Sequence, residues 1–234
     1  MFQFKQFAVD QNGCAMKINT DGVLLGALTQ ANEPKQILDI GTGTGVIALM
    51  LAQRFADSKI DAVEIDQAAA VTAARNFKAS KFAGRLTSYH TGFEEYLRQN
   101  PDQKYDLIVS NPPFYIHSLK SPGKSKSVAK HTDAQFFDTL LSSTSKHLTG
   151  EGLLWLILPV VTSLLVQEIA KGYKLYLHAQ INVNSYPQSE PHRHIIAFSL
   201  AESPISNSDF TIYEEPKKYT AQYEAALKEF FTIF

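Results

Sequence analysis

The sequence predicts an α/β protein with a doubly wound, mostly parallel sheet of seven strands and an antiparallel hairpin at one edge. From residue 35 onward, short apolar runs alternate with helical segments, which is typical of parallel strands covered on both faces. Glycines directly follow the first run, at the edge where such sheets bind ligands. Near the end of the chain, two apolar runs are joined by a polar segment too short for a packed crossover helix, which predicts the hairpin.

The individual elements follow from their hydrophobic patterns. Residues 44–56 have apolar faces at helical spacing, residues 67–80 are rich in alanine, and Gly150 and Gly152 end a helix that begins at residue 134. A final amphipathic helix is expected after a capping Thr220. The strands are predicted at 35–40, 59–66, 85–90, 105–110, 153–159, 173–183 and 194–200, and the helices at 44–56, 67–80, 134–148 and 220–234.

The composition excludes several classes of protein. The 234 residues carry a formal net charge of −1 at pH 7, so any contact to nucleic acid has to come from a local basic patch. A single cysteine, Cys14, excludes an internal disulfide framework and the Cys/His spacing of a structural zinc site. No apolar run approaches the roughly 18–20 residues of a membrane span, and the start of the chain lacks the order of a signal peptide. We therefore expect no membrane contact and a cytoplasmic protein.

The segment LDIGTGTG indicates a nucleoside-binding loop. Gly41, Gly43 and Gly45 directly follow the first strand, where glycine permits a tight turn and a close approach of ligand to backbone. Glu64 ends the second strand, a position from which a carboxylate can accept hydrogen bonds from a ribose diol. Two roles are open for Asp39: anchoring the loop through backbone N–H groups, or contacting the amino group of a cofactor through water.

The fourth strand runs directly into the segment NPPF. Pro112 and the proline that follows it fix two backbone φ angles and remove two N–H donors, so the chain forms a rigid corner that presents Asn111 and Phe114. In a doubly wound sheet the fourth strand lies beside the first. Asn111 is therefore expected across a crevice from the glycine loop.

These motifs, in this order and spacing, resemble those of class I S-adenosylmethionine-dependent methyltransferases that act on planar nitrogens. Three segments are similar to the tRNA1(Val) (adenine(37)-N(6))-methyltransferase family: residues 4–28, NPPFY and the closing DFTIYEEPKKYTAQYEAALKEFFTIF. The resemblance implies a Rossmann-like class I fold, S-adenosylmethionine as cofactor, no metal, and the anticodon arm of a tRNA as substrate. It implies one domain over residues 1–234, in which residues 1–33 cover the cofactor and residues 34–234 form the core.

The resemblance also implies roles for individual residues. Lys17, Thr20 and Asp21 are expected near the methionine end of the cofactor, and a helix is expected near Gly22, capped by Thr20 or Asp21. The Asn111 side-chain oxygen and the Pro112 carbonyl each accept one hydrogen of the adenine amino group, and Phe114 stacks on the base. The expected cofactor contacts are Lys17, Thr20, Asp21, Asp39, Gly41, Gly43, Gly45, Glu64 and Asn111.

A basic segment follows the corner and predicts the RNA contact. Residues 117–131 contain four lysines and no acid, which is typical of a solvated loop and, next to NPPF, favours a loop that closes on phosphates. The expected RNA contacts are Tyr115, Lys120, Lys124, Lys126, Lys130, His131 and Arg193.

One departure concerns the cofactor adenine. Gly92 and Phe93 stand where methyltransferases of this class usually carry an acid, which leaves Glu94 or a backbone carbonyl to receive the adenine amino group. The alternatives are methylation of a protein glutamine amide, methylation of guanine-N(2) in ribosomal RNA, and a catalytically silent RNA-binding protein on the same fold. An intact glycine loop and Asn111 disfavour the last.

Overall fold

The computed structural model describes residues 1–112 and 126–234, with the side chains of residues 126–133 excepted. The strands are β1 (Phe2–Gln3), β2 (Ala8–Val9), β3 (Gln36–Ile40), β4 (Lys59–Glu64), β5 (Leu86–His90), β6 (Tyr105–Ser110), β7 (Leu148–Pro159), β8 (Tyr176–Asn184), β9 (Arg193–Ser199), β10 (Ser206–Thr211), β11 (Tyr213–Glu215) and β12 (Lys218–Tyr219). The helices are α1 (Thr20–Leu28), α2 (Val46–Arg54), α3 (Gln67–Ala79), α4 (Phe93–Gln99), α5 (Lys126–Ser145), α6 (Val160–Lys171) and α7 (Ala221–Leu227), with a 3₁₀ turn at Ala83–Arg85.

The central sheet confirms the predicted α/β class. Its strand order is β10-β8-β9-β7-β6-β3-β4-β5, and within it β9 runs antiparallel to both of its neighbours while the other pairings are parallel. The order reverses between β3 and β6, which places a crevice at the carboxyl ends of these two strands.

The sheet differs from the prediction at one edge. Strands β8 and β9 form the expected antiparallel pair, but β10 pairs with β8 and makes an eighth strand outside it. The hairpin is therefore internal. The sequence of β10, SNSDFT, is almost entirely polar because four of its six residues are exposed, and only Phe210 is buried.

Two hydrophobic clusters cover the two faces of the sheet. Successive residues of β3 point to different clusters: Ile37 packs with residues of α1, α2 and α3, whereas Leu38 packs with residues of α4, α5 and α6. Ile37 and Leu38 are fully buried. This alternation explains why the strands of the sheet read as continuous apolar runs.

Three helix boundaries correct the sequence predictions. Helix α5 begins at Lys126 rather than residue 134, so residues 126–131 are helical instead of forming a loop; this part of the chain contains no proline or glycine that would end a helix. Helix α7 ends at Leu227 rather than running to the end of the chain. Helix α1 begins at Thr20, and its cap is Asn19, whose side chain accepts a hydrogen bond from the Gly22 N–H.

The amino-terminal segment is fastened along α3 before it reaches α1. The Asn76 side chain accepts a hydrogen bond from the Asp10 N–H and donates to the carbonyls of Asp10 and Thr44. The Thr72 hydroxyl donates to the carbonyl of Asn12. The segment therefore arrives at α1 by way of the loop between β3 and α2. Within the part of the chain that the structure describes, no helix combines the length and apolar character needed to cross a membrane.

Candidate active site

The glycine loop joins β3 to α2 at the carboxyl edge of the sheet. The N–H groups of Gly41 and Thr42 donate to the carbonyl of Val63 in β4, at 2.9 and 3.2 Å. Gly41, Gly43 and Gly45 have φ angles of +72°, +55° and +82°. Residues other than glycine rarely adopt this backbone conformation. The sequence places glycine at these three positions because the turn requires this backbone.

The three glycines serve two different purposes. A Cβ at Gly45 would stand 2.5 Å from Cε1 of Phe77, so this glycine lets α3 pack against the loop. A Cβ at Gly41 or Gly43 would meet nothing within 4 Å. These two glycines therefore border open space, where a ligand can lie directly on the backbone.

Glu64 lies beside this open space and holds the loop. Its Oε2 accepts a hydrogen bond from the Gly43 N–H at 2.9 Å, and its Oε1 accepts one from the Asp66 N–H at 2.9 Å. Each carboxylate oxygen has a second lone pair, so Glu64 can still accept two further hydrogen bonds.

Asp39 lies beneath the loop and is fully buried. The Thr42 hydroxyl donates to its Oδ2 at 2.6 Å, whereas Oδ1 has no hydrogen-bond partner among the described residues. Burial raises the pKa of Asp39 to about 7, although hydrogen bonds from the Thr42 hydroxyl and the Ala48 N–H act in the opposite direction. Asp39 therefore contacts the loop through the side-chain hydroxyl of Thr42, whereas the sequence analysis expected backbone N–H groups of the loop.

Asn111 follows β6 and faces the glycine loop. The hydroxyl of Ser110, which is almost fully buried, donates to the Ile40 carbonyl at 2.9 Å and ties the ends of β6 and β3 together. On its other side, the Asn111 amide packs against the first turn of α1: a Cβ at Gly22 would stand 3.6 Å from Asn111 Nδ2. Asn111 is thus held between the sheet and α1.

A cavity of about 350 Å³ is lined by the glycine loop, by Glu64 and by the corner at Asn111 and Pro112. Its lining is mostly apolar and includes a few polar groups, as in many sites for small molecules. The lining residues are Met16, Ile40, Gly41, Gly43, Val63, Glu64, Ile65, Thr91, Gly92, Phe93, Glu94, Ser110, Asn111, Pro112 and Phe136. The cavity therefore brings together Gly41, Gly43, Glu64, Asn111 and Pro112, which the sequence had singled out separately.

Comparison with known proteins identifies the family. The family model "Methyltransferase small domain" matches residues 17–167. The tRNA1(Val) (adenine(37)-N6)-methyltransferase of Pedobacter heparinus is 47% identical over 233 residues, which cover 100% of this chain and 98% of that protein. The enzyme of the same name from Flavobacterium johnsoniae is 42% identical over 233 residues, covering 99% of each chain. The chain belongs to the tRNA1(Val) (adenine(37)-N6)-methyltransferase family. The predicted family and enzyme class are confirmed.

Solved structures of distant methyltransferases share the fold. A predicted O-methyltransferase, Atu636 from Agrobacterium tumefaciens, aligns with a TM-score of 0.70 at 16% identity, over 90% of this chain and 96% of that one. The 16S rRNA N2 G1207 methyltransferase of Thermus thermophilus, solved with AdoMet and guanosine, aligns with a TM-score of 0.55 at 18% identity, over 80% of this chain and 44% of that one. These matches confirm the class I methyltransferase fold.

Five expected cofactor contacts of this methyltransferase are not among the residues that line the cavity of about 350 Å³: Lys17, Thr20, Asp21, Asp39 and Gly45. Thr20 lines a separate cleft, together with Phe2, Tyr219 and Tyr223. Asp21 forms an ion pair with Arg193, whose Nε is 2.8 Å from Asp21 Oδ2, and Arg193 had been expected to contact RNA. Lys17 lines a small cavity of about 40 Å³ that also touches Gly41, Gly43 and Asn111.

Sequence reasoning did not single out Asn19 or Met16, which also lie at this site. Asn19 lines the small cavity beside Lys17 and caps α1, and its residue type was an available signal because Asn is a preferred cap. Met16, half-exposed, lines both cavities, and no sequence signal indicated it.

Glu94 is one of the two groups that the sequence leaves to receive the cofactor adenine, and it lies at the cavity. Glu94, in the first turn of α4, lines the cavity together with Thr91 and Gly92. A Cβ at Gly92 would stand 3.3 Å from Glu94 Oε2, so the glycine leaves room for this carboxylate.

Several predicted substrate residues lie outside the described part of the chain. These are Phe114, Tyr115, Lys120 and Lys124. Lys126, Lys130 and His131 belong to the first turns of α5, and their side chains also lie outside the description.

Proposed function

We propose that this chain transfers a methyl group from S-adenosylmethionine to the exocyclic nitrogen of adenine 37 in tRNA1(Val). The observation that carries the proposal is the shared cavity, in which Asn111 and Pro112 lie beside Gly41, Gly43 and Glu64. Full-length relatives at 47% and 42% identity carry this activity in their names, which supports the choice of substrate.

The residues of the cavity fit the cofactor. The open space over Gly41 and Gly43 suits a ligand that lies against the backbone, and the free lone pairs of Glu64 suit a ribose diol. Asp39, fully buried beneath the loop, would support the loop from below through the Thr42 hydroxyl. When bound, S-adenosylmethionine supplies a methyl group made electrophilic by its sulfonium.

Asn111 and Pro112 act on the adenine amino group. The lone pair of this nitrogen is delocalised into the ring, which makes it a weak nucleophile. Two acceptors, the Asn111 side-chain oxygen and the Pro112 carbonyl, hold its two hydrogens and turn the lone pair out of conjugation. Positioning by these fixed groups supplies most of the rate enhancement. Phe114 would stack on the flipped base and keep its plane fixed.

The remaining expectations belong to the same proposal. The anticodon arm would be held by the basic residues that follow the corner, Lys120, Lys124, Lys126, Lys130 and His131, with Tyr115 beside the base. We propose that residues 1–234 form one methyltransferase domain, in which residues 1–33 cover the cofactor. A tRNA substrate suits a protein that works in the cytoplasm.

The proposal is tested with defined RNA. The protein is incubated with labelled S-adenosylmethionine and an unmodified tRNA1(Val) transcript, and the modified nucleoside is identified after digestion. We expect N6-methyladenosine in this transcript and none in a matched transcript with guanosine at position 37. Ribosomal RNA and protein are tested in parallel, and label that appears as N2-methylguanosine or methylglutamine instead would refute the assignment.

A further inference from the structure

Asp21 and Arg193 join two distant parts of the chain. Their side chains are only 14% and 27% exposed, and Arg193 Nε lies 2.8 Å from Asp21 Oδ2. Because water is largely excluded from such a pair, its attraction is stronger than that of an exposed ion pair. The contact is therefore a candidate for fixing the relative position of α1 and β9.

Asp21 belongs to the part of α1 that touches Asn111. It directly precedes Gly22. A Cβ added at Gly22 would stand 3.6 Å from Asn111 Nδ2 and 3.5 Å from Oδ1 of the capping Asn19. Gly22, the residue after Asp21, therefore contacts Asn111. A shift of the first turn of α1 would change this contact.

Arg193 begins β9 on the opposite side. Arg193 pairs with Pro159 at the end of β7, and its Nη1 donates to the His192 carbonyl at 2.9 Å. The guanidinium is thus held by the backbone directly before β9. Its positive charge therefore has a fixed position beside the Asp21 carboxylate.

The segment before α1 is held from the cofactor side as well. The Asn76 side-chain amide donates to the backbone carbonyl of Asp10 and to that of Thr44. The Ile18 N–H donates to Gln11 Oε1 at 2.8 Å. The first turn of α1 therefore lies between an attachment to the glycine loop and an attachment to β9.

We propose that the Asp21–Arg193 ion pair holds the first turn of α1 against Asn111 and so maintains the Asn111 amide in the orientation that methyl transfer requires. In this account both are positioning residues, and neither is a separate contact to cofactor or RNA. The kinetic consequence rests on the proposed function, whereas the structural consequence does not.

A double-mutant cycle tests the proposal. Asp21→Asn, Arg193→Gln and the double variant are compared in single-turnover and steady-state methylation of tRNA1(Val), with S-adenosylmethionine affinity measured by calorimetry. We expect each single variant to lower kcat by about 10- to 100-fold, as a misplaced catalytic group does. The Kd for S-adenosylmethionine and the KM for tRNA should change by less than about threefold. The double variant should lose no more than the worse single variant, because both changes break one interaction.

A matched control removes a charge elsewhere. Asp57→Asn breaks the exposed Lys35–Asp57 pair, whose side chains are 57% and 82% exposed, and should leave kcat unchanged. The proposal would be overturned if the losses of kcat multiplied in the double variant, if Asp21→Asn weakened cofactor binding and if Arg193→Gln raised the KM for tRNA. These results together would mean that the two residues make independent contacts. Unchanged kcat in both single variants would overturn it as well.

Hydrogen exchange separates this inference from the proposed function. If the wild-type protein methylates no tRNA, the proposed function fails, but the amides of Val23, Leu24 and Leu25 still report on the first turn of α1. Faster exchange there in both single variants, with unchanged exchange in the central strands, supports the positioning role. Equal exchange in variants and wild type contradicts it.

Discussion

Asp39 shows how burial changes the chemistry of a single carboxylate. The residue is fully buried, and its pKa is raised from 3.8 to about 7, first by burial. The carboxyl of Asp39 therefore binds its proton more strongly in the folded protein than in the unfolded chain. This contribution to stability is complete below about pH 4 and is lost as the pH rises to about 7 and above.

Replacing Asp39 by Asn tests this linkage. We expect the stability of Asp39→Asn relative to wild type to improve as the pH rises from 4 to 8, by about 4 kcal/mol at most, since about three pKa units correspond to that energy. Urea denaturation at pH 4, 6 and 8 measures the difference. A difference in unfolding free energy that stays constant with pH would show that the pKa of Asp39 is not raised.

At the scale of elements, the loop between β3 and α2 has glycines with separable roles. Gly45→Ala places a methyl group 2.5 Å from Phe77 at a φ of +82°, so we expect the unfolding free energy to fall by about 2 to 5 kcal/mol. Chemical denaturation provides the measurement. Wild-type stability in this variant would mean that α3 does not pack on the loop as described.

Gly43→Ala is the matched comparison. Its methyl group would enter open space at a φ of +55°, so only the backbone strain of about 1 to 2 kcal/mol is expected in stability. The same methyl group would occupy the cavity, and we expect the Kd for S-adenosylmethionine to rise about tenfold or more, an energy of about 1.4 kcal/mol. Calorimetry measures this Kd. An unchanged Kd would show that Gly43 does not border the bound cofactor.

The elements also show where sequence reasoning succeeds. Strands β3, β4 and β6 were predictable because strands buried on both faces read as apolar runs, and the glycine loop was predictable because its backbone admits little else. Strand β10 was not, since its exposed edge position allows a polar sequence. The Asp21–Arg193 contact was not either, because residues 172 positions apart in the chain leave no local signal of their pairing.

At the scale of the whole molecule, the two ends of the chain stabilise each other. Phe4 is fully buried, its ring stacks on Phe7 at 4.5 Å, and it lies 5.7 Å from the ring of Phe231. The Lys5 N–H donates to the Phe230 carbonyl at 2.7 Å. The segment that precedes the candidate active site is therefore attached to the last residues of the chain.

Phe4→Ala should weaken this attachment. We expect the unfolding free energy to fall by about 3 to 5 kcal/mol, as for other buried phenylalanines, measured by chemical denaturation. Phe2→Ala is the control, because Phe2 is 36% exposed, and it should cost less than about 1 kcal/mol. Equal losses in the two variants would contradict the buried position of Phe4.

The central claim is that Asn111 acts on the reacting nitrogen rather than on the cofactor or the fold. Single-turnover methylation of tRNA1(Val) by Asn111→Ala, with the Kd for S-adenosylmethionine measured on the same preparation, tests it most directly. The account predicts a rate lower by about 10²- to 10³-fold, the cost of losing one preorganised hydrogen-bonding group, with a Kd within about threefold of wild type. A rate close to that of the wild type would contradict it, as would a loss of rate that is matched by an equal loss of cofactor affinity.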